Sequence, residues 1–275
     1  MIHNNILHEA LKNFLFPNIC AYCGEISSSL LCEKCSSKII KIKELSCNFC
    51  GYPKNFENDI FESDYKDNDL KGFGEKTQNN KSDIFQNSKC SICSNLDFKF
   101  YKLRSFGIYN GVLKQLILKF KYKKIYNLAP ILSSFLEETF LNHYKNEKID
   151  YIETVPDFII NINTNINKDF DNYSYSKINH MQILASLLSR QLKIPFANNL
   201  IKIKKTLRQQ NLDIFERNVN LKDAFKVINI LKIYNKNILV IDDVWTTGNT
   251  LNEISKLLKR CGANKIYLMT IARAI

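Results

Sequence analysis

The chain has 275 residues, 45% of them hydrophobic, and a formal net charge of +12 at neutral pH. That is enough for one sizeable α/β core plus a small appended module, so two domains are expected, 1–100 and 101–275. No run of roughly eighteen uncharged apolar residues occurs, which excludes a membrane-spanning helix of ordinary length.

The start, MIHNNILHEALKNFLF, is amphipathic and is followed by no signal-type cleavage site. A soluble, cytoplasmic protein is therefore expected. Charge is unevenly placed. Residues 1–100 hold 12 Lys/Arg against 13 Asp/Glu, whereas residues 101–275 hold 27 against 14. Such a field attracts polyanions, nucleic acid or pyrophosphate compounds. The chain is also saturated with Lys, Asn and Ile, so drift in an AT-rich genome and a solvated basic surface explain the excess equally well.

The first module spans 15–96 and carries four CxxC pairs: Cys20 with Cys23, Cys32 with Cys35, Cys47 with Cys50, and Cys90 with Cys93. A CxxC knuckle sets two thiolates on one side of a tight turn, and two knuckles complete a tetrahedral S₄ site for zinc. Eight cysteines make two structural zinc sites, and reduced thiolates are expected rather than disulfides. Spacing alone allows sequential or interleaved pairing, and sequential pairing resembles a double zinc ribbon. Between the third and fourth pairs, residues 54–89 are rich in Asn, Asp, Lys and Ser without periodicity and read as a disordered insertion. Cys261, alone near the end of a helix, reads as a small core residue.

Beyond the module, KLRSFGIY at 102–109 reads as a strand ending in the turn Asn110-Gly111. Helices are expected at 112–122 and 126–144, then a short strand at 151–156 stopping at Pro156. An Asn-rich stretch at 161–175 reads as a loop. HMQILASLLSRQL at 180–192 has the apolar spacing of an amphipathic helix, and His180 at its start reads as a surface residue. NILVIDD at 237–243 is an apolar strand ending in two acids, followed by TTGNT, a helix, and a final strand in NKIYLMTIARAI. Strand alternating with helix predicts a parallel α/β sheet with helices on both faces.

The segment 238–251, ILVIDDVWTTGNTL, carries the chemistry. A buried strand delivers Asp242 and Asp243 to its carboxyl end, where open α/β sheets bind ligands. A loop of Thr246, Thr247, Gly248, Asn249 and Thr250 then enters a helix, so backbone N–H groups converge with the helix N-terminus on one point suited to a phosphate. Paired carboxylates accept hydrogen bonds from the two hydroxyls of a ribose, and glycine lets the backbone approach a 5-phosphate. Together these groups fit a ribose 5-phosphate. Magnesium binding or simple helix capping by the acids is the plainer alternative.

The string from the apolar run through D-D-V-x-T-T-G-x-T-L closely resembles the signature of type I phosphoribosyltransferases. Combined with the cysteine pairs, the chain resembles the ComF family of bacteria. LFPNICAYCG at 15–24 fits that family's opening, and IYNGVLKQLILKFKY at 108–122 resembles its Tyr, Gly and Lys-aromatic stretch, with Lys119 and Lys121 basic. Asn179, Leu184 and Ala185 match a motif usually read RGFNQ with Leu-Ala after it. Thr206, Gln209, Leu212, Glu216, Arg217, Asn220, Ala224 and Phe225 reproduce the spacing TxxQ, L, ER, N and AF.

The resemblance implies several roles. Phosphoribosyl pyrophosphate would be bound with Mg²⁺, its ribose by Asp242 and Asp243 and its 5-phosphate by Thr246 to Thr250. The pyrophosphate and a mobile loop would fall to Pro156, Asp157, Lys204, Lys205, Arg208 and Gln209. It also implies a role in natural competence, with single-stranded DNA and DNA-uptake proteins as partners at the inner face of the membrane. The sequence departs from the family where it reads VPDFI at 155–159, Ser176-Lys177 for Arg-Gly, and His180 for Gln. Lys168 and Lys177 are the available substitutes there. An active phosphoribosyltransferase of unspecified acceptor and a non-catalytic sensor of the phosphoribosyl compound are the alternatives.

Overall fold

The structure is a computed structural model, and it describes residues 18–42, 46–53, 90, 93, 97–157, 179–204, 221 and 223–275. The amphipathic start, the insertion at 54–89, the loop at 161–175 and the segment 205–220 lie outside the described residues. So do Lys168, Lys177, Lys205, Arg208 and Gln209.

The body is a four-stranded parallel sheet in the order β3, β8, β7, β4. Its strands are β3 (Lys102–Ile108), β4 (Tyr151–Thr154), β7 (Ile238–Trp245) and β8 (Ile266–Arg273). Strands buried on both faces carry near-continuous apolar runs, and β8 is buried along its whole length. Alternation then divides the core. Leu239 and Ile241 of β7 join the cluster formed by α2 (Gly111–Tyr122), α3 (Ala129–His143) and α4 (His180–Leu192). Ile238 and Val240 join the opposite cluster with α5 (Asn249–Arg260). Leu251, Ile254 and Leu258 form the buried stripe of α5, at the spacing of one helical face. Helices on both faces of a parallel sheet are thus observed.

Two differences from the sequence reading concern local structure. β7 runs two residues beyond the expected end at Asp243 and finishes at Trp245, because Val244 and Trp245 stay in register with Ala272 and Arg273 of β8. An antiparallel pair that the sequence did not disclose, β5 (Leu200–Lys202) and β6 (Phe225–Val227), packs beside α5. It is fastened by Asn199, which receives the N–H of Asn229 at 2.7 Å and donates to the Asn229 carbonyl at 2.8 Å. The Asn199 N–H in turn donates to both oxygens of buried Glu153, at 3.0 and 3.1 Å. Burial is the largest influence on that carboxyl and pushes it up to about 8.

The cysteine-rich part begins with a small hairpin, β1 (Asn18–Ile19) and β2 (Ile26–Ser27), and a single turn of helix, α1 (Glu33–Ser36). It then runs along the outer edge of β3. Ile42 N–H donates to the Phe106 carbonyl at 3.0 Å, Ile108 N–H donates to the Ile40 carbonyl at 2.9 Å, and Lys41 bridges Gly107. A side chain at Gly107 would meet the Ile40 carbonyl oxygen at 2.7 Å, so glycine is what permits this approach. Among the described residues no helix is long and apolar enough to cross a membrane.

Candidate functional site

Asp242 and Asp243 sit three and two residues short of the end of β7, where strand alternation turns Asp243 toward α2 and α4. There its Oδ2 receives the Lys121 ammonium at 2.5 Å and lies 3.3 Å from Nε2 of His180. Oδ1 makes no hydrogen bond among the described residues. Burial opposes ionisation of Asp243, but the His180 hydrogen bond and the Lys121 charge outweigh it and hold the carboxyl down at about 2. Asp242 lacks such a clamp. Burial first, and the charge of Asp243 second, push it up to about 8. The two carboxyls are therefore pushed in opposite directions, Asp243 toward the anion and Asp242 toward the protonated form.

His180 is consequently not the surface residue its position suggested. Its side chain is 11% exposed and packs edge-on against Phe120 at 5.9 Å. The helix start is fixed by a capping box: the Asn179 side chain accepts from Met181 N–H at 2.8 Å, and the Gln182 side chain accepts from Asn179 N–H at 3.2 Å. Lys121 reaches Asp243 from the last turn of α2.

After Trp245 the chain turns through Thr246 and Thr247 into Gly248, whose φ of +79° makes it the N-cap of α5. Here the glycine answers a neighbour inside the fold. A Cβ at 248 would lie 2.2 Å from the Trp245 indole. Thr246 is exposed, and Thr247, Asn249 and Thr250 are half-buried. Among the described residues the buried Asn249 amide nitrogen has no hydrogen-bond partner, a donor left unused at the entrance of the helix. Pro156 and Asp157 follow β4. Asp157 is exposed, and its charge adds to the upward push on Asp242. Lys204 is exposed at the far end of β5.

The eight paired cysteines form two groups, Cys20, Cys23, Cys32 and Cys35, and Cys47, Cys50, Cys90 and Cys93, with the sulfurs of each group within 4.8 Å of one another. Pairing is thus sequential, and the second group closes across residues 54–89. Tetrahedral zinc with bonds of about 2.3 Å requires sulfurs about 3.8 Å apart. Observed separations are 3.9 Å for Cys23 and Cys32, 3.7 Å for Cys47 and Cys93, 3.5 Å for Cys50 and Cys90, and 3.6 Å for Cys90 and Cys93. In both knuckles the glycine N–H folds back on the first cysteine, Gly24 to Cys20 at 3.0 Å and Gly51 to Cys47 at 2.9 Å.

The donor set fits structural zinc. One sulfur of each group is already prepared for ionisation. A hydrogen bond from the Cys50 thiol brings Cys47 down to about 3, and backbone N–H groups of Cys23, Cys32 and Tyr22 overcome burial to bring Cys20 to about 6. Burial drives Cys35 and Cys93 up to about 12. Four clustered sulfurs cannot all ionise without a metal. Cys261 stays apart, half-buried against the core.

Comparison with known proteins matches both parts. The double zinc ribbon domain family matches residues 11–65, and the phosphoribosyl transferase domain family matches residues 182–275. The chain is 42% identical over 98 residues to Competence protein F of Haemophilus influenzae, covering 35% of this chain and 43% of that protein. The chain pairs the double zinc ribbon and phosphoribosyl transferase domains that its resemblance to the ComF family implies.

Among other relatives, DNA utilization protein YhgH of Shigella flexneri is 26% identical over 187 residues, 68% of this chain and 78% of its own length. A solved structure described as the allosteric regulatory enzyme of purine biosynthesis aligns with 56% of this chain and 30% of its own, at 14% identity and a TM-score of 0.36. The zinc ribbon match stops at residue 65, before Cys90 and Cys93, yet the fold brings those two cysteines to the second group. The sequence disclosed the cysteine groups and where the acids and the hydroxyl-rich turn stand between strand and helix. It did not disclose that His180 and Lys121 meet at one oxygen of Asp243.

Proposed function

We propose that this protein is a member of the ComF family that binds phosphoribosyl pyrophosphate, or the ribose 5-phosphate end of a related ligand, at the end of β7, and that it handles single-stranded DNA during DNA uptake. The observation that carries the reading is Asp243, clamped by Lys121 and His180 beside a Thr-Thr-Gly turn that opens onto the N-terminus of α5. Oδ1 of Asp243 and the carboxyl of Asp242 are the acceptors for the ribose hydroxyls. The N–H groups at the start of α5 and the unused Asn249 amide are donors for the 5-phosphate. Mg²⁺ takes oxygen ligands and would neutralise the pyrophosphate, with Asp157 and Asp242 as the nearby carboxylates.

Support for a nucleic-acid partner lies next to the same site. Residues Tyr122 to Asn127 are exposed without interruption, placing Lys123 and Lys124 between Tyr122, 62% exposed, and Tyr126. Interleaved bases and rings are how single strands are gripped without sequence preference. Tyr126 also borders a groove of about 580 Å³ that continues past Gln182 and Phe196 to Arg190. The names Competence protein F and DNA utilization protein, carried by relatives, point the same way.

Calorimetry with phosphoribosyl pyrophosphate and Mg²⁺ tests the first half. Asp243→Asn is expected to weaken binding about tenfold, the loss of roughly one charge-assisted hydrogen bond, while zinc content stays unchanged. Equal affinity would sink the assignment. Fluorescence titration with a single-stranded oligonucleotide at low salt tests the second half, and no binding there removes it.

A further inference from the structure

Four thiolates around one divalent ion carry a net charge of about −2, which burial leaves unscreened by water. At the second tetracysteine group two buried arginines face that charge. Arg104 of β3 donates from Nη2 to the Asn48 carbonyl, inside the knuckle, at 3.0 Å, and from Nη1 to the Leu103 carbonyl at 2.6 Å. Arg273, the last residue of β8, donates from Nη1 to the Cys50 carbonyl at 2.5 Å. Neither makes a salt bridge to a carboxylate among the described residues. The Nε of Arg273 is buried without a hydrogen-bond partner among the described residues, so the hydrogen bonds seen there do not by themselves explain its position. The charge of the cysteine group does.

Arg273 also points toward the ligand site. Its guanidinium lies 5.7 Å from the Trp245 ring and 5.1 Å from the Tyr52 ring. Trp245 is the side chain that fills the space beneath Gly248. Trp245 also meets Phe98 and Phe100 edge-on, at 5.5 and 5.8 Å, and Phe100 stacks at 4.6 Å on Phe49, which sits between Cys47 and Cys50. A cation and an aromatic wall thus connect one metal centre to one turn.

We infer that the second tetracysteine centre is the buttress of the phosphate turn: through Arg273 and Trp245, its occupancy sets the position of residues 246–249. Arg273 is a positioning residue here, and ligand affinity depends on the second centre and not on the first. The ligand part rests on the function proposed above, and the coupling itself does not.

Trp245 is the sole tryptophan of the chain, so its emission reports this coupling directly. The experiment uses the full chain and measures zinc per chain, Trp245 emission and affinity for phosphoribosyl pyrophosphate with Mg²⁺. Arg273→Gln is expected to shift the emission and weaken the ligand about tenfold or more, with far-ultraviolet circular dichroism unchanged. Arg273→Lys should recover part of both, and Cys23→Ser, in the first group, should change neither. Parental emission and affinity in Arg273→Gln would overturn the inference. Should Arg273→Gln fail to fold, chelator titration of Cys23→Ser decides, since the remaining zinc then belongs to the second group. Emission that stays constant as that zinc leaves overturns the coupling. Should the parent protein bind no phosphoribosyl pyrophosphate, the proposed function falls, while the emission response still decides the coupling.

Discussion

At the first tetracysteine group Cys20 and Cys35 are buried, Cys32 is half-buried and Cys23 is exposed, whereas at the second Cys47, Cys50 and Cys93 are buried and Cys90 is half-buried. The first group rests on the sheet through Cys20, Cys35, Leu31 and Ile39 and presents Ile19 and Ile26 of its hairpin to solvent. Around the second stand Arg104, Arg273 and the aromatic wall. Identical ligand chemistry is thus set in two surroundings: the first knuckle takes the Lys119 ammonium at the Ala21 carbonyl and has one sulfur open to solvent, and the second takes two buried arginines. Where less water reaches, the protein must supply more of the counter-charge itself.

The largest expected effect comes from breaking the buried group. Cys47→Ser should leave one zinc per chain and lower the thermal midpoint far more than Cys23→Ser, because the buried metal holds strand and knuckle together. Equal losses in the two variants, followed by calorimetric melting and zinc analysis, would erase the contrast. Next in size is Arg104→Met. Removing one of two cations beside a buried charge should cost about 3 kcal/mol, read from denaturant unfolding, and should make the second zinc the easier one to strip. A variant with parental stability would mean that water screens both groups alike.

Smaller is Gly248→Ala, which combines a left-handed backbone with a Cβ lying 2.2 Å from the indole. It should cost about 2 kcal/mol and displace Trp245, seen as altered near-ultraviolet dichroism. Smallest is a pH effect at the carboxylate pair. Asp242 is raised to about 8, so the folded state favours its protonated form, and stability is lost as pH climbs from the unfolded value of about 4 through 8. Asp242→Asn should remove that loss, making the variant slightly more stable than the parent above neutral pH in thermal melts. Asp243 acts oppositely: held at about 2, it contributes stability that is present above about pH 4 and lost as pH falls toward 2.

What could be read in advance was what depends on local pattern. The cysteine spacing, the apolar run of β7 and the hydroxyl-rich turn each declare themselves within a few residues. Contacts made across the fold did not. His180 finds Asp243 63 positions away, and nothing near His180 in the chain announces that partner. β5 and β6 are three residues each, too short for alternation to register. A signal did exist for the arginines. KLRSFGIY and TIARAI each set one arginine inside an otherwise buried strand, and a charge in such a place implies an opposite charge nearby. That opposite charge was the cysteine group, already visible in the sequence but not connected to it.

The strip of chain at Ile40 to Ile42 shields the open border of the sheet. Without it β3 would offer Phe106 and Ile108 a row of unmet main-chain groups, the kind of rim onto which further copies stack. Shortening the protein to begin near residue 100 should therefore yield a product that clumps on expression, even with every residue of the sugar-phosphate turn retained. Recombinant work on that half is best done with the preceding segment attached.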